Sequence, residues 1–274
     1  MTLVVGRVCH SLHEGDIVCG VTLLDNLLYV LRINESRPIS VYDADSFRFQ
    51  RHLQIPPGAR TDLAACAHNR CLYISGFTDN CVQRVALPEA AVTKWQIDAE
   101  VHGLSVTDTH SVLATCANVR EIREFNTDGK LLRQIRLTRD VASPCHAIQL
   151  SSGQFIVCHG GPEDPVHRVC LMGSDGNVVK SYGGPLGSGK QHMAIPLRLA
   201  VDRNGFVYVV DLGNCRVLLL SPELTYERDV VSKDQLKGRP LRLCLDADKD
   251  RLYVADNELD DESYADGRVV IFNV

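Results

Sequence analysis

The stretch Pro196–Val217, PLRLAVDRNGFVYVVDLGNCRV, decides the fold. Two apolar runs, Leu197–Val201 and Phe206–Val210, flank the polar segment Asp202-Arg-Asn-Gly205, and a third run, Val217–Leu220, follows Asp211 and Asn214. Short runs rich in β-branched and aromatic residues, broken by Asp, Asn and Gly, read as strands joined by tight turns. The same order returns at Pro240-Leu-Arg-Leu-Cys-Leu-Asp246, Arg251-Leu-Tyr-Val-Ala-Asp256 and Arg268-Val-Val-Ile-Phe272, with Pro240 lying 44 residues after Pro196. A period of that length fits one four-stranded propeller blade.

Weaker copies precede this pair. They are Gly20–Leu24, Leu27–Leu31 and Pro38–Tyr42; Asp62–Cys66, Cys71–Ser75 and Val82–Val85; Gly103–Val106, Val112–Thr115 and Ile122–Phe125; and Ala147–Leu150, Gln154–Val157 and His167–Leu171. Fourth runs follow five of the six triplets, at Phe47–Leu53, Val92–Ile97, Leu131–Leu137, Val178–Tyr182 and Thr225–Val230. The sixth triplet reaches Val274 without one, while Thr2–Val8 is strand-like and belongs to no triplet. The sequence therefore predicts an all-β chain: a six-bladed β-propeller of four-stranded antiparallel blades, closed by the N-terminal strand completing the last blade. An unclosed ring would expose unpaired strand edges. The expected layout is one domain over 1–274, with closing strand and linker at 1–17 and blades at about 18–60, 61–101, 102–143, 144–195, 196–239 and 240–274.

The composition, 45% hydrophobic and 23% charged, excludes a disordered chain. No apolar run is long enough to cross a membrane, and the N-terminus lacks a basic region followed by an apolar stretch, so a cytoplasmic protein with no membrane partner is expected. A net charge of −5 weighs against a DNA-binding role. The eleven cysteines include no C-x-x-C pair. Several lie inside apolar runs, as Cys71, Cys158, Cys170 and Cys244 do, and read as buried, reduced thiols.

Residues 196–217 match the pattern P-x-x-(apolar)-A-V-D-x-x-G-x-(apolar)-Y-V-x-D-x-x-N-x-R-V almost throughout. This resembles the NHL repeat, and six such copies resemble an NHL-type propeller, well kept in blades five and six and degenerate in the first four. The resemblance implies a kinship with the C-terminal domains of tripartite-motif ubiquitin ligases, which bind substrate proteins or RNA. Related six-bladed propellers include amidating lyases and lactonases. No RING, B-box or heptad run accompanies the repeat here.

Aligning the repeats places Cys19, Thr61, His102, His146, Leu197 and Leu241 at equivalent blade-entry positions, followed by Gly20, Asp62, Gly103, Ala147, Arg198 and Arg242. Entry loops and the loops between second and third strands share one face, which collects the longer insertions and is the expected binding face. His102 and His146 could bind an anion when protonated, or a metal with Cys19, Asp62 or His192. The favoured reading of both is neutral, hydrogen-bonded histidine with no metal and no cofactor. Arg60, Arg139, Lys190, Arg198, Lys237, Arg239 and Arg242 surround them, and guanidinium forks suit carboxylate or phosphate. The acidic segment Asp256–Asp266 reads as a long surface loop that could pair with these arginines. His159–His167, pinned by two prolines, reads as a recognition loop. Ser181–Lys190 is Gly-rich but lacks the G-x-x-x-x-G-K-[ST] spacing of a phosphate loop.

No G-x-S-x-G or H-E-x-x-H motif is present. The main functional expectation is thus a non-catalytic module binding a protein or peptide, with RNA as second candidate, serving as a ubiquitin ligase's substrate-recognition domain. Its binding residues are Arg60, His102, His146, His159, Lys190, Arg198, Arg239 and Arg242. The alternative is an enzyme, lyase- or lactonase-like, with a small-molecule site at the channel mouth using His102 and His146.

Overall fold

The computed structural model describes residues 6–33, 36–58, 60–76, 79–189, 191–260 and 263–274. Asp25 and Asn26, both at positive φ, make a two-residue turn of the kind that matches strand twist, and Leu24 and Leu27 pair across it. The first blade is β2 (Val18–Leu24), β3 (Leu27–Arg32), β4 (Ile39–Asp43) and β5 (Phe49–Leu53), after the opening strand β1 (Arg7–His13). The second is β6 (Asp62–Cys66), β7 (Cys71–Gly76), β8 (Cys81–Ala86) and β9 (Ala91–Gln96); the third is β10 (Val101–Val106), β11 (Val112–Cys116), β12 (Glu121–Phe125) and β13 (Leu131–Arg136). The fourth is β14 (Pro144–Gln149), β15 (Phe155–His159), β16 (Val166–Met172) and β17 (Val178–Pro185); the fifth is β18 (Pro196–Val201), β19 (Val207–Asp211), β20 (Arg216–Leu220) and β21 (Tyr226–Val231). The sixth holds β22 (Arg239–Asp246), β23 (Arg251–Asp260) and β24 (Ser263–Asn273), with β1 as its outer strand. Each blade is a four-stranded antiparallel sheet, so the chain is a six-bladed propeller closed by its N-terminal strand.

The closing strand sits later than the apolar run Thr2–Val8 suggests. Arg7 pairs with Asn273 and His13 with Arg268, so the strand is RVCHSLH; residues 1–5 lie outside the described residues. An outer strand buries little, and here Leu12 alone of the strand's apolar side chains is buried, so hydrophobicity was a poor guide to its position.

Six hydrophobic clusters fill the six blade-to-blade interfaces, from Leu31 and Leu72 between blades one and two round to Val30 and Tyr253 between six and one. Every blade is therefore clamped between two others, and burial of these side chains is the main stabilising term. All eleven cysteines are free of disulfides; Cys9 is exposed and most others are buried in these clusters.

The repeat's Asp and Arg serve as clamps. Asp211 accepts from the Ala194 N–H at 2.7 Å, from Asn214 Nδ2 at 2.8 Å and from Arg216 Nε at 2.8 Å. Asp256 accepts from the N–H groups of Lys237 and Gly238, both at 2.9 Å, and pairs with Arg268. Each pins the incoming entry loop to the end of the second strand. The described residues of the acidic segment, 256–260 and 263–266, are accordingly strand rather than surface loop; residues 261–262 lie outside the described residues. These strand residues belong to the long β23–β24 hairpin, in which Glu258 pairs with Asp266 and Leu259 with Tyr264, and Asp256 is fully buried.

Candidate functional site at the inner end of the channel

Five first strands slip by one residue against their neighbours after their first pair, or in the sixth blade their second, at Val18/Gly20, Val101/Gly103, Pro144/His146, Pro196/Arg198 and Pro240/Arg242. Such a bulge re-aims the side chain that follows it. The rung beyond it is the same in every blade. It carries Gly20, Asp62, Gly103, His146, Arg198 and Arg242, one residue per blade, with Asp62 in the blade that has no bulge. The sequence alignment therefore needs correcting by one place. His146 stands on the rung with the two arginines, not beside His102, and Ala147 lies one position further along the strand.

Four long polar side chains share this ring with two glycines, and the glycines make the room. A Cβ on Gly103 would stand 2.5 Å from the Cys145 carbonyl oxygen and 2.8 Å from His146 Cδ2; one on Gly20 would stand 2.6 Å from Leu63 Cβ. Asp62, Arg198, His146 and Arg242 are only 3%, 4%, 6% and 9% exposed. Buried charges at this level persist only when paired.

Asp62 is the shared partner. Its Oδ1 lies 3.3 Å from Arg198 Nε and 3.1 Å from Arg242 Nε, and its Oδ2 accepts from the Leu104 N–H at 2.7 Å. Burial alone would raise the Asp62 pKa, but Arg198, then Arg242, outweigh it and hold the carboxyl below its ordinary range. Arg198 also reaches the carbonyls of His102 at 2.6 Å, Leu197 at 2.8 Å and Cys145 at 3.4 Å. It thus spans from the fifth blade to the second, third and fourth, bridging the entry-side aperture. Arg242 donates to the carbonyls of Leu241 and Thr61. Burial, and then Arg198, pull its pKa down to about 10, so the Arg242 guanidinium remains charged at neutral pH. The triad carries one positive charge in excess, with Arg242 Nε committed to the shared Asp62 carboxylate.

His146 completes the ring. Its Nε2 lies 3.0 Å from the Leu104 carbonyl, which can only accept, so Nε2 carries the proton and Nδ1 the lone pair. Nδ1 is buried and unpartnered. Burial, then the Arg198 charge, push the His146 pKa down to about 4. The same two causes, with Arg242 added, bring His102 to about 4. Both rings are neutral at physiological pH.

Below the ring runs a cavity of about 280 Å³. Asp62, His146, Arg198 and Arg242 line its inner end; Leu63, Leu104, Ile148, Leu199 and Leu243 are among its walls. It opens toward the turns between first and second strands, where further clefts share Val106, Ile148, Val201 and Leu245 with it. The accessible face is thus opposite to the entry-loop face expected from the sequence, because the guanidinium groups bridge the entry side.

The remaining expected site residues are scattered. Arg60 is buried in the loop leading into blade two, donating to the Pro56 carbonyl at 3.0 Å. His102 meets the ring through its carbonyl and does not line the cavity. His159 is buried at the end of β15, its pKa pushed down to about 4 by burial. The recognition loop that follows it is tied down: His167 Nδ1 accepts from the Ile195 N–H at 3.0 Å, and Nε2 donates to the Asp164 carbonyl. Arg239 is half-buried at the start of β22, and Lys190 lies outside the described residues. His192 hydrogen-bonds to the Pro185 carbonyl and does not line the cavity, and no cluster of three or more metal-ligating side chains occurs among the described residues. Asp62, absent from the expected binding set, is the hub. Its sequence signal was its place on the same rung as Arg198 and Arg242.

Neither a family model nor a curated protein sequence matches the chain. Solved structures match it over nearly its whole length. A streptogramin B lyase structure superposes with TM-score 0.66 at 11% identity, covering 96% of this chain and 98% of that one. A catalytically inactive histidine-to-alanine variant of virginiamycin B lyase from Staphylococcus aureus, with quinupristin, gives 0.65 at 11%, covering 97% and 99%. Kuenenia stuttgartiensis hydrazine synthase gives 0.64 at 13%, covering 93% and 95%. At these identities the likeness is one of architecture. It corrects the expectation of a non-catalytic, protein-binding ubiquitin-ligase module: these three solved structures, which share the propeller architecture, are named as lyases and a synthase, and none as a ubiquitin-ligase domain.

Proposed function

We propose that the chain is an enzyme acting on a small molecule at the inner end of the channel, in a reaction of the lyase or lactonase kind. The observation that carries this is the ring itself: a histidine nitrogen bearing a lone pair, buried and unpartnered, beside two guanidinium groups that share one carboxylate. Elimination across a carbon–oxygen bond needs a base for the carbon-bound proton and a cation for the oxygen that gathers charge. His146 Nδ1 takes the proton. The C–H electrons form the new double bond, and the departing oxygen leaves with its pair toward the cationic Arg242, which lines the cavity. The imidazolium so formed sits near two positive charges, so it is a strong acid that returns its proton to that oxygen.

Enzymes named lyases share the architecture, which supports the reading. Of the two histidines in the sequence alternative, His146 takes the chemical role and His102 positions Arg198 through its carbonyl. The NHL-like pattern of Pro196–Val217 is, on this reading, a shared way of building and clamping a blade.

The test is turnover of a panel of lactones and cyclic depsipeptides, quinupristin among them, followed by chromatography of opened products. Turnover should fall by about 100-fold or more in His146→Gln and in Arg242→Gln, with melting curves confirming folded variants. Turnover of no panel member, or full activity in His146→Gln, would overturn the proposal.

A further inference from the structure

We infer that the site's substrate is bipolar: an anionic or oxyanionic group at the ring, an apolar body in the channel, and a cationic group at the opposite mouth. The inference rests on the ring being a ligand site and adds the polarity and the direction of entry.

The turns around the open mouth place Asp25, Asp108, Asp202, Asp246, Asp248 and Asp250 along clefts that adjoin the channel. The basic residues lining the same clefts are Arg203 and Lys249, and both are engaged. Arg203 pairs with Asp248, and Lys249 with Asp45. Asp25 pairs with Arg70. Asp108, Asp202, Asp246 and Asp250 make no ion pair among the described residues. Asp202 and Asp246 accept N–H bonds from their own turns, Asp202 from Asn204 and Phe206 and Asp246 from Asp248. Those bonds fix the carboxylates at the rim but leave their charge unneutralised.

The inner end has the opposite sign. The Asp62–Arg198–Arg242 triad is one positive charge in excess, and His146 Nδ1 is unpartnered on a cavity-lining residue beside it. Leu63, Leu104, Leu199 and Leu243 lie between the two poles. From Arg198 to Asp202 is four residues of strand, about 13 Å. A cleft of about 590 Å³ beneath blades three to five, lined by Asp108 and Asp202, joins the channel at Val106, Ile148 and Val201. Low-dielectric walls between unlike charges focus the field along the channel. A molecule with a carboxylate or ester oxygen at one end and an ammonium at the other meets complementary charge at both poles. A simple carboxylate entering from this face must first pass the carboxylates at the rim.

Three probes separate the poles: 8-aminooctanoate, octanoate and octylammonium, titrated calorimetrically into the intact protein at low salt. The inference expects 8-aminooctanoate to bind at least tenfold more tightly than either single-ended probe. The double variant Asp108→Asn/Asp250→Asn should weaken 8-aminooctanoate at least fivefold and leave octanoate unchanged or tighter. Octanoate binding as well as 8-aminooctanoate would overturn the bipolar assignment while leaving the ring as an anion site. Binding of 8-aminooctanoate unaffected by the double variant would overturn entry from this face. Failure of all three probes to bind would overturn this inference, and, combined with no turnover in the lactone panel, the reading of the ring as a ligand site.

Discussion

Asn257, in the last blade, grips both backbone groups of Val18 in the first: its Oδ1 accepts the Val18 N–H at 2.8 Å and its Nδ2 donates to the Val18 carbonyl at 3.2 Å, across 239 residues of sequence. Asn257 is fully buried, and no strand ladder joins the two blades. The amide therefore acts as a substitute for a rung of sheet at the seam. Asn257→Ala should leave two buried backbone groups unpaired, at about 1–3 kcal/mol each. Calorimetry should show a melting temperature several degrees lower; an unchanged melt would mean that the seam does not depend on this amide.

The ring should be as important for stability as for chemistry. Arg198→Met leaves Asp62 with a single guanidinium partner and removes donors from three carbonyls, so a loss of about 3–5 kcal/mol is expected in urea unfolding. The double variant Arg198→Met/Asp62→Leu removes the stranded carboxylate as well and should recover part of that loss. A double variant weaker than the single one would show that Asp62 stabilises the ring chiefly through the Leu104 N–H.

Acid should unfold the protein through its histidines. His102, His146 and His159 titrate near 4 when folded, chiefly because of burial, against 6.5 ordinarily. Between pH 6.5 and 4 the unfolded chain binds more protons, so stability falls as pH is lowered through that window and these groups add no further loss below it. Glu14 and Asp211, raised by burial, act in the opposite sense as they protonate first in the folded state. Comparing urea midpoints at pH 7 and pH 5 isolates the ring: the drop should be smaller in His146→Gln than in the parent protein.

Removing residues 1–13 should expose the edge of β24 from Arg268 to Asn273 and delete the packing of Leu12. A melting temperature lower by roughly 10 °C, with a rise in light scattering, is expected from the lost ladder and the open edge. A peptide of residues 6–13 added in trans should restore part of the loss. A truncated chain that melts like the parent would refute the role assigned to this strand.

Most of the architecture was legible because each strand's signal is local. The turn Asp202–Gly205 and its flanking valines, or Asp25-Asn26 between leucines, announce a hairpin without reference to anything else. What escaped was set by rungs and neighbours. The bulge after Pro144 moves His146 into the ring, and apolar matching at Ala147 hid it; the spacing from Pro144, Pro196 and Pro240 to His146, Arg198 and Arg242 was the better register mark. The charge of Asp256–Asp266 suggested a loop, but burial against Arg268 makes part of it core. The open face could not be read at all, since it depends on two guanidinium groups reaching across the channel to the carbonyls of other blades.

The sixth blade combines β1 with β22, β23 and β24, which imposes an order on biosynthesis. A ribosome adding about 5–20 residues per second needs roughly ten to fifty seconds to pass from the first of these strands to the last. Throughout that interval β1 has no partner and the first blade has an uncovered flank. The nascent chain must wait in that half-built condition, so a chaperone able to shield one strand and one apolar flank would raise yield more than any gain in the rate at which individual hairpins form.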